Sequence, residues 1–345
     1  MNKKSEKHIL ELSGSSYQIG FTHGENAKEK VHRTLETYER MFHQKAAMSW
    51  KDSKEKGLLH LQAIETYNSN YLEEMEGLAK GAGVSFEDIL AINARSEIAL
   101  ITAPDGCTSF ALTKPKSSKT WLAQNWDWKG SQLDALVQLN IEQAGLPSIQ
   151  MVTEAGIIGK IGSNSAGLGV CLNALVTDTW QPKVPIHLGL RAVLESSSLK
   201  EAISKVDNNQ MASAAHFLIA SKSEEAIGME VSPVYTGKIT SDRGIVTHTN
   251  HICSAGLKER IVEEALSNSF TRLTTINSLL DQLDGKNSTK GDLFQILSNH
   301  DHFPDSICRH SLPKQSEREE IDTVFSIVMD LTDGELEWVE GRPCE

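Results

Sequence analysis

Cysteine is scarce and scattered in this chain of 345 residues. There are five, Cys107, Cys171, Cys253, Cys308 and Cys344. The odd number, the wide spacing and the lack of any Cys-x-x-Cys argue against a disulfide framework and against a structural zinc site. Basic residues are outnumbered, 34 Lys+Arg against 46 Asp+Glu, for a net charge of −12. Nucleic acid, whose phosphates need a concentrated basic footprint, is therefore not an expected partner. Nor is the acid a tail. Residues 1–106 carry 13 basic and 16 acidic side chains (−3), which leaves −9 for residues 107–345. Long apolar runs are missing too: nothing approaches the roughly 18 residues of a membrane span. Met1-Asn-Lys-Lys-Ser-Glu-Lys-His8 has charge with no apolar stretch after it, so Asn287-Ser-Thr289 is discounted as a glycosylation site. Arg342-Pro-Cys-Glu345 is no recognisable peroxisomal or prenylation signal. A cytoplasmic location is expected. Aromatics make up only 6%, but with 39% hydrophobic and 23% charged residues the composition is that of a soluble globular protein.

What is there divides into two textures. Residues 15–100 read as helices. Val31, Leu35, Tyr38 and Phe42 form one apolar stripe, and Leu61, Ile64, Tyr71, Met75 and Leu78 form a second that ends at Gly81-Ala-Gly83. Ser85-Phe-Glu-Asp88 looks like a helix N-terminus. After Pro104-Asp-Gly106 come short period-two runs: Thr108–Thr113, Thr120–Trp128, Leu136–Glu142, Ser148–Thr153 and Leu168–Leu175. Residues 187–206 read as helical. A meander follows through His216–Ala220, Ala226–Val231, Val234–Thr240 and Ile245–Thr249, then a long helix through Phe270, Leu273, Leu280 and Leu283. Thr323–Leu331 and Glu335–Val339 close the chain as a hairpin on Asp333-Gly334. Helices segregated from antiparallel strands give an α+β fold class.

Several chemical patterns fail on inspection. Gly156-Ile-Ile-Gly159-Lys-Ile-Gly162 lacks the ending of a phosphate loop and reads as strand turns. Ser163-Asn-Ser-Ala-Gly167 misses the Gly-x-Ser-x-Gly elbow at its first position. His248-Thr-Asn-His251 and His300-Asp-His302 have no third metal ligand at a recognisable spacing. Glu73-Glu74 and Glu224-Glu225 read as solvated faces. Trp121, Trp126 and Trp128 alternate on a strand, part core and part available to line a pocket.

Cys107 stands apart, at the helix-to-strand changeover in Asp105-Gly-Cys-Thr-Ser109. The glycine before it leaves the preceding carbonyl unshielded. If the cysteine were freed at its amino end, it would carry its own base. An α-amino group titrates near ~7.7–8.0 and a thiol near ~8.5, so proton transfer between them is nearly balanced. The competing reading is a small buried hydrophobe, which is how Cys171 reads on its strand.

Asp105-Gly-Cys-Thr-Ser-Phe110 followed by Gln124-Asn-Trp-Asp127 resembles the acyl-CoA:isopenicillin N acyltransferase family of N-terminal-nucleophile (Ntn) cysteine hydrolases. Tyr17-Gln-Ile-Gly-Phe-Thr-His-Gly24, Ala144-Gly-Leu-Pro147, Thr153–Lys160, Asn164-Ser-Ala-Gly167, Asn173-Ala-Leu175, His248–His251, Ser306-Ile-Cys-Arg309 and Gly341-Arg-Pro343 extend the likeness over nearly the whole chain. The resemblance implies an αββα four-layer sandwich with a helical N-terminal segment. It also implies an inactive precursor that cuts itself between Gly106 and Cys107. Residues 1–106 would become a mostly helical α chain and residues 107–345 the catalytic β chain, two pieces of one composite domain.

The same resemblance implies roles residue by residue. Cys107 is the nucleophile and its freed amino group the base. Asp127 orients that group, Asn250 helps form the oxyanion hole with Asn173 beside it, and Arg309 favours the thiolate and developing charge. No role carries over to Cys171, Cys253 or Cys308. No metal or organic cofactor is required. The expected partners are a small acyl-amide or acyl-thioester substrate and the two fragments of the chain itself, without nucleic acid or membrane. Hydrolysis of a small N-acyl amide through a Cys107 acyl-thioester is the favoured activity. Acyl-CoA-dependent transfer of the 6-aminopenicillanic acid type comes second, since the peroxisomal tripeptide of that pathway is missing. A non-catalytic binding module that keeps the fold is the third reading.

Overall fold

The computed structural model describes residues 7–99, 106–223, 225–312 and 321–345. Pro104, Asp105 and Glu224, each part of a sequence expectation, lie outside the described residues. The chain begins with a strand, β1 (Ile9–Ser13), before the helices α1 (Ser16–Asn26), α2 (Lys28–Ala46), α3 (Trp50–Leu58), α4 (Leu61–Asn68), α5 (Asn70–Ala82), α6 (Phe86–Asn93) and α7 (Arg95–Ala99). The second apolar stripe is thus two helices, broken at Ser69. Ser85 does cap α6: its hydroxyl accepts from the Asp88 N–H and the Asp88 carboxylate accepts from the Ser85 N–H. Helices α1 and α5 cross with their backbones nearly touching. A methyl group on Gly20, Gly24, Gly77 or Gly81 would run into the carbonyl of the opposite helix.

Next come β2 (Thr108–Leu112), β3 (Trp121–Trp128), β4 (Leu136–Glu142), β5 (Ile149–Glu154), β6 (Ile161–Asn164) and β7 (Leu168–Ala174). Helices α8 (Ile186–Leu194) and α9 (Leu199–Val206) lead to β8 (Ala215–Ser221), β9 (Glu225–Val231), β10 (Gly237–Ile239) and β11 (Ile245–His248). The chain finishes with α10 (Ala255–Lys258), α11 (Ser267–Gln282), α12 (Lys290–Leu297), β12 (Asp322–Asp330) and β13 (Glu335–Glu340). Among the described residues no helix is long and apolar enough to cross a membrane.

Two sheets result. The larger has the order β1-β4-β5-β6-β7-β8-β9-β10, the smaller β11-β2-β3-β12-β13. They pack face to face through β2, β3, β7 and β8. Helices α1, α2 and α8 cover the outer face of the large sheet, and α11 and α12 that of the small one. Strand periodicity distributes the small sheet between two cores. Cys107, Ala111, Leu122 and Trp126 face the large sheet, whereas Phe110, Leu112, Trp121 and Ala123 pack under α11 and α12. All eight residues of β3 are buried, so Trp121, Trp126 and Trp128 are wholly core and none is left to line an open pocket. Gln124 ties the sheets together: its amide carbonyl accepts from the Leu172 N–H at 2.9 Å while its NH2 donates to Leu172 O.

The segment before Gly106 is not helical throughout. Strand β1 adds to the large sheet in parallel with β4, from Ile9 opposite Gln138 to Ser13 opposite Glu142. Glu74 also departs from the reading of a solvated face. It is 1% exposed and accepts from Arg191 Nη1 at 2.9 Å.

Candidate active site

The end of β2 and the loops around it assemble a buried polar site. Cys107 immediately precedes β2 and is 0% exposed. Its backbone N–H donates to Asn250 Oδ1 at 2.7 Å. Asn250 lies just beyond β11, whose His248 pairs with Ser109 of β2, so strand register carries it to the cysteine. The asparagine amide has one consistent orientation. Oδ1 also accepts from Arg272 Nη2 at 2.9 Å, while Nδ2 donates to Ala174 O at 3.1 Å. The N-terminal part of α11 holds this loop, because Ser269 Oγ accepts from the Asn250 N–H at 2.8 Å.

Arg272, on the same helix, was not singled out from the sequence. It is 1% exposed, and its Nη1 donates to Cys107 O at 2.6 Å and to Thr108 Oγ1 at 3.0 Å. One guanidinium thus joins the carbonyl of Cys107 to the asparagine that holds its nitrogen. A lone arginine in the polar run Ser267-Asn-Ser-Phe-Thr-Arg272 carries no local sign of burial, so only tertiary structure could reveal it.

Asp127 approaches from the other edge of β2: it lies on β3, which pairs with β2 on the side away from β11. A Cβ built on Gly106 would stand 2.7 Å from Arg309 Nη1 and 3.0 Å from Asp127 Oδ2. Asp127 is fully buried, and its Oδ1 accepts from Thr323 Oγ1 at 2.7 Å. Thr323 in turn accepts from the Arg309 N–H at 2.9 Å, and Arg309 Nη2 pairs with Asp305 Oδ1 at 2.6 Å. Three of the expected residues, Asp127, Asn250 and Arg309, therefore meet the Gly106–Cys107 peptide. Thr323, between two of them, carries no local sign of this position in the sequence.

Asn173 does not join that contact set. Its Oδ1 accepts from Ser109 Oγ at 2.6 Å and faces His216 Nδ1 at 3.1 Å, one residue pair along β2 from the cysteine. His216 stacks on His248, with ring centroids 3.6 Å apart. Burial pulls the His248 pKa down, but bonds to Cys253 and to the Glu230 carboxylate (2.9 Å) outweigh it and raise the value to about 9. Glu230 also accepts from the backbone N–H groups of Cys253 and Ser254. The ring of His251 lies instead on Phe270, at 4.0 Å between centroids. The two histidines of His248–His251 thus have separate partners.

This arrangement suits acyl chemistry at a cysteine: a thiol-bearing residue, guanidinium donors and a carboxylate converge on one peptide in a dry setting where electrostatics are strong. The family model described as acyl-coenzyme A:6-aminopenicillanic acid acyl-transferase matches residues 113–345. A protein of Emericella nidulans, the acyl-coenzyme A:6-aminopenicillanic-acid-acyltransferase 40 kDa form, is 34% identical over 334 residues, covering 96% of this chain and 91% of that one. Among solved structures, a mutant conjugated bile acid hydrolase from Clostridium perfringens aligns with a TM-score of 0.50 and 12% identity, over 68% of this chain and 89% of that chain. Penicillin V acylase from Agrobacterium tumefaciens aligns with a TM-score of 0.42 and 13% identity, over 68% and 86%. The helix–sheet–sheet–helix architecture is that of the Ntn hydrolases.

Proposed function

The chain belongs to the acyl-coenzyme A:6-aminopenicillanic acid acyl-transferase family, and on that premise we propose that it cuts itself before Cys107 and then cleaves a small N-acyl amide through an acyl-thioester on that residue. The observation that carries this reading is the clamp on one peptide. Asn250 and Arg272 grip Cys107 on one side, while Asp127 and Arg309 lie against Gly106 on the other.

In the self-cleavage step the Cys107 sulfur attacks the Gly106 carbonyl carbon, the C–N bond breaks and the thiol proton ends on the departing nitrogen. Water then hydrolyses the thioester, releasing a Gly106 carboxylate and a Cys107 with free amine and thiol. Asn250 Oδ1 already accepts from that nitrogen and would hold the new amine as an acceptor. Once the segment ending at Gly106 withdraws, Asp127 and Arg309 face the vacated volume, the carboxylate to orient the ammonium and the guanidinium to favour the thiolate.

In turnover the amine takes the thiol proton, sulfur displaces the amine of the substrate, and water or a second amine accepts the acyl group. The oxyanion role proposed for Asn250 belongs to this stage and requires Nδ2 to exchange Ala174 O for the substrate oxygen. Asn173 acts through Ser109 as a positioning residue. A cytoplasmic setting belongs to the same proposal.

A second reading, acyl-CoA-dependent transfer, is favoured by the activity for which the 34% identical relative is named. The two separate on one assay. Purified processed protein receives acyl-amides or acyl-CoA, with and without an amine acceptor, and free acid and new amide are quantified. Free acid from the amide supports hydrolysis. New amide from acyl-CoA with no free acid overturns that order. A chain that stays unbroken by intact mass and consumes neither substrate is a binding module.

A further inference from the structure

A second cluster of reactive side chains lies behind Arg309. Cys308 and His310 flank that arginine, His300 follows α12, and Cys344 follows β13; all four ligand atoms lie within 4.8 Å of one another. We propose that these four residues bind one zinc-class divalent ion, a tetrahedral Cys2His2 site that ties the Arg309 loop to the C-terminal segment.

The geometry fits the ion closely. With Zn–S near 2.3 Å and Zn–N near 2.0–2.1 Å, a regular tetrahedron has edges of about 3.8 Å between sulfurs, about 3.3 Å between nitrogens and about 3.6 Å between the two kinds. Here Cys308 Sγ and Cys344 Sγ are 3.5 Å apart, and His300 Nε2 and His310 Nε2 are 2.9 Å apart. His310 Nε2 lies 3.7 Å from Cys308 Sγ and 3.5 Å from Cys344 Sγ. These four edges lie within about 0.4 Å of the tetrahedral values, and the two from His300 to the sulfurs lie within 4.8 Å. Soft thiolates with imidazoles select zinc over the hard cations that prefer oxygen. Among the described residues the other such cluster, Glu230, His248 and Cys253, has only three members, and its carboxylate is already occupied by His248 and two backbone N–H groups.

The surrounding backbone holds these ligands in place. The Cys308 N–H donates to Asn299 O at 3.0 Å, the His310 N–H to Pro304 O at 3.2 Å, and Ser306 Oγ to Cys308 O at 2.5 Å, so residues 299–310 form a tight knuckle. Arg342 Nη1 donates to His310 Nδ1 at 3.2 Å. Zinc on Nε2 puts a proton on Nδ1, so Arg342 would release His310 and keep Asp322 Oδ1 (3.4 Å) and Glu345 Oε1 (2.6 Å). The expectation of no structural zinc rested on spacing along the chain. His300 and His302 looked like the pair, but His302 is not a member of the cluster, and the fourth ligand comes from 34 residues beyond His310.

The test uses full-length protein without a histidine tag, purified under thiol reductant, then incubated with excess zinc chloride and desalted. Elemental analysis should find one zinc per chain in wild type and in Cys107→Ala, and at least tenfold less in Cys344→Ser and His300→Gln. Both of these replace exposed ligands, so the fold is retained, which circular dichroism checks. Cobalt(II) added to metal-free protein should give intense visible bands and a sulfur-to-cobalt charge-transfer band, both weakened in Cys344→Ser. Zinc below a tenth of an equivalent in reduced wild type, without cobalt–thiolate bands, overturns the proposal. So does a Cys308–Cys344 disulfide, seen as the loss of two hydrogens by mass, that persists under reductant and excludes the metal. Because Cys107→Ala is included, failure of the self-cleavage reading leaves this result intact.

Discussion

Gly106 lies against Arg309 so closely that a Cβ on the glycine would stand 2.7 Å from Nη1. Real Cβ contacts do not come that near, and Asp127 Oδ2 closes the other side at 3.0 Å. A methyl group must therefore displace one of the two groups that flank the Gly106–Cys107 peptide. Arg309 Nη1 is the tip of a flexible side chain and can give way, so the methyl group acts on the placement of the guanidinium more than on the fold. Gly106→Ala is expected to slow self-cleavage about tenfold or more, followed by intact mass after synthesis. Cleavage at the wild-type rate would show that neither Arg309 nor Asp127 constrains this peptide. Cys107→Ala should leave the chain whole at all times.

Arg272 supplies the second prediction. Hydrogen bonds from a charged donor are worth about 1.5–3 kcal/mol each when buried, and this side chain makes two to Cys107 O and Asn250 Oδ1. Arg272→Met should slow processing about ten- to hundredfold. Arg272→Lys can restore one contact but not the fork, so it should recover part of the rate. Equal rates for all three proteins would remove the arginine from the site.

Features that follow from neighbours along the chain are legible in the sequence. The Ser85–Asp88 cap, the Asp333-Gly334 hairpin and the alternation of β2 are local, and the structure contains each. Cys107, Asp127, Asn250 and Arg309, which the structure brings to one peptide, each sit in a dense motif that draws attention in the sequence. Arg272, Thr323 and the Glu230–His248–His216 chain are not legible in this way, since each acquires meaning only when strands β2, β11 and β12 register against one another. Strand β1 escaped for a related reason. Ile9-Leu-Glu-Leu-Ser13 is too short to distinguish from a helix start, and its partner β4 lies more than a hundred residues away.

His248 makes stability depend on alkaline pH. Its pKa is raised from 6.5 to about 9 in the folded chain, so the folded state holds this proton more tightly than the unfolded state does. The contribution is complete below about 6.5 and disappears as pH rises through about 9. Fully buried, it amounts to at most about 3 kcal/mol. The urea midpoint should fall between pH 6.5 and pH 9, and His248→Gln should flatten that slope. A slope as steep in His248→Gln as in wild type would assign the dependence to other groups.

The two fragments proposed here should stay together because a buried ionic cluster spans them. Tyr38 and Arg95, before the cut, meet Glu154 and Lys160, after it. Tyr38 Oη donates to Glu154 Oε1 at 2.6 Å, Arg95 Nε lies 3.6 Å from the same oxygen, and Lys160 Nζ pairs with Oε2 at 2.7 Å. Burial raises the Glu154 pKa, but Lys160 and Arg95 more than reverse this and lower it to about 2. The carboxylate therefore stabilises the assembly above about 4.5 and loses that effect as pH falls through about 2. Removing one member of such a buried cluster strands the others, at about 3–5 kcal/mol. Processed wild type should run as one species by size exclusion at neutral pH, held also by the β1–β4 pairing. Glu154→Ala should lower the unfolding midpoint of the uncut Cys107→Ala chain and let processed fragments separate at lower urea. Fragments of wild type that part in native buffer would mean that the cut divides two independent units, not one composite domain.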